Sequence, residues 1–224
     1  IMKYFEDTTT FKYSWDQVVT GFWRRYPNPE SSHVLTEDTL SRELKENKLY
    51  TKRMLTKTNR LPKWGERFVG NRVVKIIEES ILDLQNKTLV TYTRNIGYSS
   101  VMSVVERVEY RVDTDNHNQT IAVRSAWIDS SVFGFGRAIQ SFGLERFKKN
   151  CGKMVSGFNF VLNKLYPTHE TQLPRETVSH SKDRLSDAAN KAKKNIPLKV
   201  KDKSHEIFRL IDELSKYNMT RNLH

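Results

Sequence analysis

Only one cysteine, Cys151, occurs in 224 residues. That excludes a disulfide within the chain and any multi-cysteine metal site, and it fits a reducing compartment or an oxidising one in which the thiol stays free. Long apolar runs are missing as well, and nothing approaches the roughly 18 consecutive apolar residues of a membrane-spanning helix. The opening stretch IMKYFEDTTTFKYSW puts Glu6 and Asp7 where a secretory signal would be apolar, so a soluble chain is expected. No Walker loop, G-x-S-x-G, H-E-x-x-H or C-x-x-C is present, which removes the usual sequence warrants for nucleotide, acyl-transfer, zinc or redox chemistry. Gly134-Phe135-Gly136 lacks a third glycine at dinucleotide spacing and reads as a turn. The Asn-x-Thr matches at Asn86, Asn118 and Asn218 read as chance without a secretory signal.

What the chain does hold is positive charge and aromatic residues. Lys and Arg number 38 against 26 acidic residues, a formal net charge of +12. Such a chain is drawn to phosphates, and charge alone does not choose between nucleic acid and anionic lipid headgroups. With 37% hydrophobic and 11% aromatic residues the chain has the side chains a core requires. Its length suits one domain with an appendage.

Residues 2–12, rich in Thr and aromatics, read as a first strand. Ser14 and Gln17 have capping-box spacing, and Trp15, Val18, Val19, Phe22, Trp23 and Tyr26 recur at helical intervals, so a helix is expected over 14–26, stopped by Pro27 and Pro29. From 33 to 128 the pattern becomes strands separated by short polar turns, a succession of hairpins forming a meandering antiparallel sheet. In one of them Met102, Val104, Val108, Tyr110 and Val112 share a face interrupted by Glu106; that face is either buried or lines an apolar cavity.

The segment NRLPKWGERFVGN, residues 59–71, is a long loop inside this sheet, and such loops are usually functional. Trp64 beside Lys63 and Arg67 has the composition of a water–lipid boundary, although a Trp plugging the end of the sheet fits equally. Residues 135–166 form the longest helical pattern, with Phe147, Cys151, Met154, Phe158, Val161 and Leu165 as its apolar stripe. Arg146, Asn150 and Lys153 form a second line, which on helix statistics is a solvated edge. Pro167 closes the helix, 167–180 reads as a polar linker, and 181–224 as a basic helical extension.

RRYPNPESSHVLTEDTLSRE, MLTKTNRLPKW, TYTRNI and FGLERFKKNCGKMVSGFNFVL, in that order along residues 2–166, resemble the PRELI domain family, the mitochondrial lipid carriers called Ups proteins in yeast. The resemblance implies an α+β fold of the START and phosphatidylinositol-transfer-protein kind: a curved antiparallel sheet with a long C-terminal helix across its concave face. The sheet would have about seven strands, in keeping with one leading strand and the hairpins read above. It implies a carrier in the intermembrane space, with no enzymatic activity and no cofactor, that moves phosphatidic acid between the outer and inner mitochondrial membranes for cardiolipin synthesis. A small twin-cysteine helical chaperone would be its partner. KTNRLPKW and RRYPNP look like the phosphatidic-acid branch of the family, not the phosphatidylserine branch.

Carried over residue by residue, the resemblance implies headgroup contacts from Arg25, His33, Lys57, Arg60, Arg146, Asn150 and Lys153. Arg60 and Arg146 stand where yeast members carry lysine. The family's lid maps onto residues 61–72, with Pro62, Lys63, Trp64, Arg67, Phe68 and Val69 at the membrane contact. The break at Pro27 would leave Arg25 in the last helical turn and His33 at the entry of the next strand, both facing the cavity mouth, with Arg24 in solvent. A phosphate monoester can be buried only against cations and donors, and its small headgroup lets a tight pocket reject bulkier ones. The rivals are a basic nucleic-acid module, against which stands the missing RNP pattern, a carrier of another anionic phospholipid such as phosphatidylserine, and an enzyme with a START-like cavity using His33 or Glu106.

Overall fold

A computed structural model describes residues 2–58 and 73–167. Seven strands form one antiparallel sheet: β1 (Lys3–Phe11), β2 (Val34–Lys45), β3 (Lys48–Thr58), β4 (Val73–Asp83), β5 (Thr88–Asn95), β6 (Ser103–Val112) and β7 (Thr120–Asp129). Their spatial order is β1-β7-β6-β5-β4-β3-β2, so every consecutive pair from β2 to β7 is a neighbour and β1 closes beside β7. The turn between β2 and β3 has both Glu46 and Asn47 at positive φ, which suits the twist of a two-residue hairpin. Two helices, α1 (Trp15–Phe22) and α2 (Gly136–Leu165), cover the inward face.

Period-2 alternation explains the sheet. On β3 Leu49, Thr51, Arg53 and Leu55 are buried while their neighbours are not, and on β7 Ala122, Arg124, Ala126 and Ile128 take the same side. The core gathers where α1 and the C-terminal half of α2 meet the sheet: Trp15, Val18, Val19 and Phe22 pack with Phe11, Tyr110, Phe158 and Leu162. On α2 Leu162, not Leu165, is the fully buried leucine. Gln140 Nε2 donates to Asp129 Oδ1 at 2.9 Å, tying the start of α2 to the end of β7. At Gly143 an added Cβ would lie 2.5 Å from the sulfur of Met102 and 3.0 Å from a methyl of Ile128 on β7, so a side chain there would have to displace Met102.

One expectation needs correction. The first helix ends at Phe22, four residues short of Tyr26. Arg24 N–H turns onto Gly21 O at 3.0 Å, and the position preceding a proline disfavours helical geometry, so the chain has left the helix before Pro27. Arg25 therefore lies beyond the helix and not in its last turn. As expected, α2 lies across the concave face, leaning on β1, β7, α1 and the short 3-10 turn Pro29–Ser31. That lean leaves a gap between α2 and the middle strands, and there Met102, Val104, Glu106 and Tyr110 line a cavity while Val108 is buried. Arg60, the lid residues Pro62, Lys63, Trp64, Arg67, Phe68 and Val69, and the linker and extension past 167 lie outside the described residues.

Candidate functional site

The cavity, about 320 Å³, is walled by the inward faces of β3–β7, by α2, and by the segment joining α1 to β2. Asn28 shapes that segment. It caps the Pro29–Ser31 turn by accepting from Glu30 N–H at 3.0 Å, and its Nδ2 donates to Arg25 O at 2.7 Å. Its Oδ1 sits where a Cβ on Gly157 of α2 would be 2.4 Å away, so the glycine lets the turn seat against the helix. The YPNP break is thus a docked turn that holds Arg25 and His33 at the cavity.

The structure brings together six of the seven expected headgroup residues, Arg60 lying outside the described residues. Arg25, His33, Lys57, Arg146, Asn150 and Lys153 all line this cavity. Lys57 lies in phase with Arg53 and Leu55 on β3, hence on the inward face. Arg146, Asn150 and Lys153 face the cavity from α2, so the line that helix statistics read as a solvated edge borders it; Asn150 and Lys153 are exposed and Arg146 is half-buried. Partial burial, then the neighbouring charges of Lys57, Arg146 and Lys153, press the His33 imidazole below its ordinary value. The three cations thus act together on the His33 ring. Arg24 is exposed and does not line the cavity.

Arg25 differs from the rest. Its Nη1 donates to Phe22 O at 2.9 Å, its guanidinium lies 4.0 Å from the Phe22 ring centroid, and Nη2 pairs with Glu78. Burial alone would lower it, but Glu78 outweighs burial and holds the proton more firmly. Glu78 in turn takes Arg53, whose Nε lies 3.0 Å from Oε1, and Arg53 reaches Glu37 on β2. The sequence reading missed Arg53, Glu78, Glu37 and Arg124. A signal was available: Arg53, Glu78 and Arg124 each fall in phase with the buried apolar residues of their strands, which only a compensated charge tolerates. On the far side of Tyr110, Glu106 and Arg124 lie 2.7 Å apart. Burial drives the Tyr110 phenol up to about 12, and it feels the charges of both pairs. Burial also raises the Cys151 thiol, which leaves it protonated and unsuited to nucleophilic attack.

A long helix leaning over a curved sheet of hairpins, with a cavity between them, defines the helix-grip class of α+β proteins. In that class the solved aromatase/cyclase Zhui from Streptomyces has a TM-score of 0.50 over 75% of this chain and 98% of its own, at 14% identity, a likeness of fold alone. The PRELI-like family model matches residues 16–168. The chain is 46% identical over 191 residues to the mitochondrial PRELI domain-containing protein 1 of Bos taurus, covering 84% of this chain and 87% of that one. It is 32% identical over 169 residues to the mitochondrial protein UPS1 of Saccharomyces cerevisiae, covering 75% and 97%. The chain belongs to the PRELI-like family.

Proposed function

We propose that this protein is a carrier that extracts phosphatidic acid and moves it between the mitochondrial outer and inner membranes through the intermembrane space, in support of cardiolipin synthesis. The observation that carries the reading is the cavity whose walls hold His33, Lys57, Arg146 and Lys153 beside apolar Val104, Ile139, Phe147 and Met154. A phosphate monoester carries between about one and two negative charges near neutral pH. Lys supplies point charges to it, Arg a bidentate fork, and Asn150 an amide donor. On this reading the phosphoglycerol end and the first part of the chains enter the cavity, each buried CH₂ contributing about 0.8 kcal/mol. Release then requires docking on an anionic bilayer, where the net charge of +12 steers approach.

No bond changes in such a cycle. The groups an enzyme would recruit are otherwise engaged: Glu106 faces Arg124, and His33 stands among cations. On this reading the partner is a small twin-cysteine helical chaperone, which co-purification tests. The deciding measurement is transfer between liposomes of phosphatidic acid against phosphatidylserine, with and without that partner. Transfer of phosphatidic acid in clear excess supports the proposal; equal transfer of both lipids removes the headgroup assignment.

A further inference from the structure

The outward face of the sheet breaks its alternation along one line. An antiparallel sheet packed on one side usually turns polar side chains to water on the other. Strand register instead carries an apolar row across six strands there: Tyr4, Trp127, Val105, Arg94, Ile77 and Met54 stand opposite one another in turn from β1 to β3. Arg94 is the only charge in it. Tyr4 is 52% exposed with its ring 5.6 Å from that of Trp127; Trp127, Val105 and Met54 are half-buried, and Ile77 is buried. The flanking rows are mostly polar, with Ser103, Lys75 and Thr56 on one side and Ser125, Arg107 and Lys52 on the other. Both helices lie against the opposite face, so among the described residues neither covers this stripe.

The chain itself supplies a segment of matching length and charge. Residues 204–217, SHEIFRLIDELSKY, lie outside the described residues, and their sequence carries Ile207, Leu210, Ile211 and Leu214 at helical spacing. On such a helix Glu206 and Glu213 fall beside the apolar stripe, while Arg209 and Lys216 fall opposite it. Fourteen helical residues measure about 21 Å, and a row across six strands measures about 24 Å. The charges agree as well: Arg94 within the row and Lys75 beside it are exposed and make no ion pair among the described residues, so both glutamates have a cation to meet. Residues 168–203 join the segment to α2, and a coil of that length would extend roughly 33 Å, enough to pass round a sheet edge. A tether of this kind gives an effective concentration on the order of millimolar, at which a contact with a Kd of about 0.1 mM is roughly nine-tenths formed.

We propose that residues 204–217 dock as a helix along the outward row from Tyr4 to Met54, so that the C-terminal extension covers the sheet face opposite the cavity. The docking does not depend on the identity of the cargo. The test uses the full chain labelled with 5-fluorotryptophan, in which four indoles give four resonances and Trp127→Phe assigns that of Trp127. Leu210→Asp with Leu214→Asp, which breaks the apolar stripe of the segment outside the folded domain, should move the Trp127 resonance and leave those of Trp15 and Trp23 in place. A photoreactive benzoylphenylalanine replacing Met54 should cross-link within the chain to residues 204–217. Its yield there should exceed by about tenfold that of the same probe replacing Arg111, farther along the outward face, as the occupancy above implies. The paired aspartates should remove that excess. A Trp127 resonance that does not move overturns the proposal. So does a Met54 probe that captures no particular segment, or one that joins two chains, which would make a second copy the occupant of the row.

Discussion

Charge serves two purposes on the concave surface, and the division runs between its floor and its rim. Across the floor, Glu37, Arg53, Glu78 and Arg25 form one chain of ion pairs and Glu106 with Arg124 another, with Tyr110 between them. Each cation there has an anion, so the belt is close to neutral. Around the rim Lys57 and Lys153 make no ion pair among the described residues, and they act with Arg146 on His33. The floor can be buried because it is compensated; the rim retains positive charge because it borders water. The difference teaches that lining the cavity does not by itself leave a cation's charge uncompensated. Arg25 lines it and is already engaged, whereas Lys57 and Lys153 have charge to offer.

The comparison is broken most forcefully at its floor. Glu78→Gln strands Arg25 and Arg53, and removing one partner of a buried pair should cost about 3–5 kcal/mol in urea unfolding. A variant within 1 kcal/mol of wild type, roughly the limit for an exposed pair, would mean that the belt is not a structural unit. The rim should behave oppositely. Lys57→Glu or Lys153→Glu should reduce phosphatidic acid extraction by at least about tenfold, since a hydrogen bond to a charged group contributes roughly 1.5–3 kcal/mol, with the urea midpoint near wild type. Arg25→Glu, in contrast, faces one carboxylate with another and is expected to fail in folding before it reports on cargo.

Acid sharpens the same distinction. Burial works to raise the Glu78 carboxyl, but Arg25 and Arg53 outweigh it and hold the group below 4.5. A folded value below the unfolded one gives stabilisation that is complete above the unfolded value and lost as pH falls through the folded one. Stability should therefore drop below about pH 4.5, and that drop should shrink in Glu78→Gln. His33 should respond to cargo: a bound phosphate offsets the surrounding cations and moves its titration upward. Proton resonances of the imidazole, followed with and without phosphatidic acid, would show this, and an unchanged titration would place the phosphate elsewhere. The smallest effect is expected at Lys52→Ala. Its pair with Glu79 sits one residue from Arg53 and Glu78 in the same β3–β4 register but points to solvent, so its loss should change stability by less than about 1 kcal/mol.

Much of the fold was legible because its signals are local. The capping pair survives, with Gln17 Oε1 accepting from Ser14 N–H at 3.0 Å, and the apolar stripes of both helices point inward as their spacing requires. The end of α1 was misjudged because Trp23 and Tyr26 continue the helical period past the point where chain geometry allows a helix. That His33, Lys57 and Arg146 gather at one cavity was legible through resemblance to a family, not through their own spacing: they lie on unrelated segments with no common period. The belt went unread because a charged residue in phase with apolar ones looks like an interruption until its partner on the next strand is known. Arg53 faces Glu78 only through the β3–β4 register.

By itself, the sequence determined the order of hairpins, the two amphipathic helices and the family to which the chain belongs, since periodicity and motif depend on neighbours along the chain. The tertiary structure decided which inward faces became core and which became cavity, because that follows from where α2 leans on a curved sheet. It also decided which arginines are spent on carboxylates, because a buried charge is compensated by whatever residue the register sets opposite it and not by anything nearby in sequence.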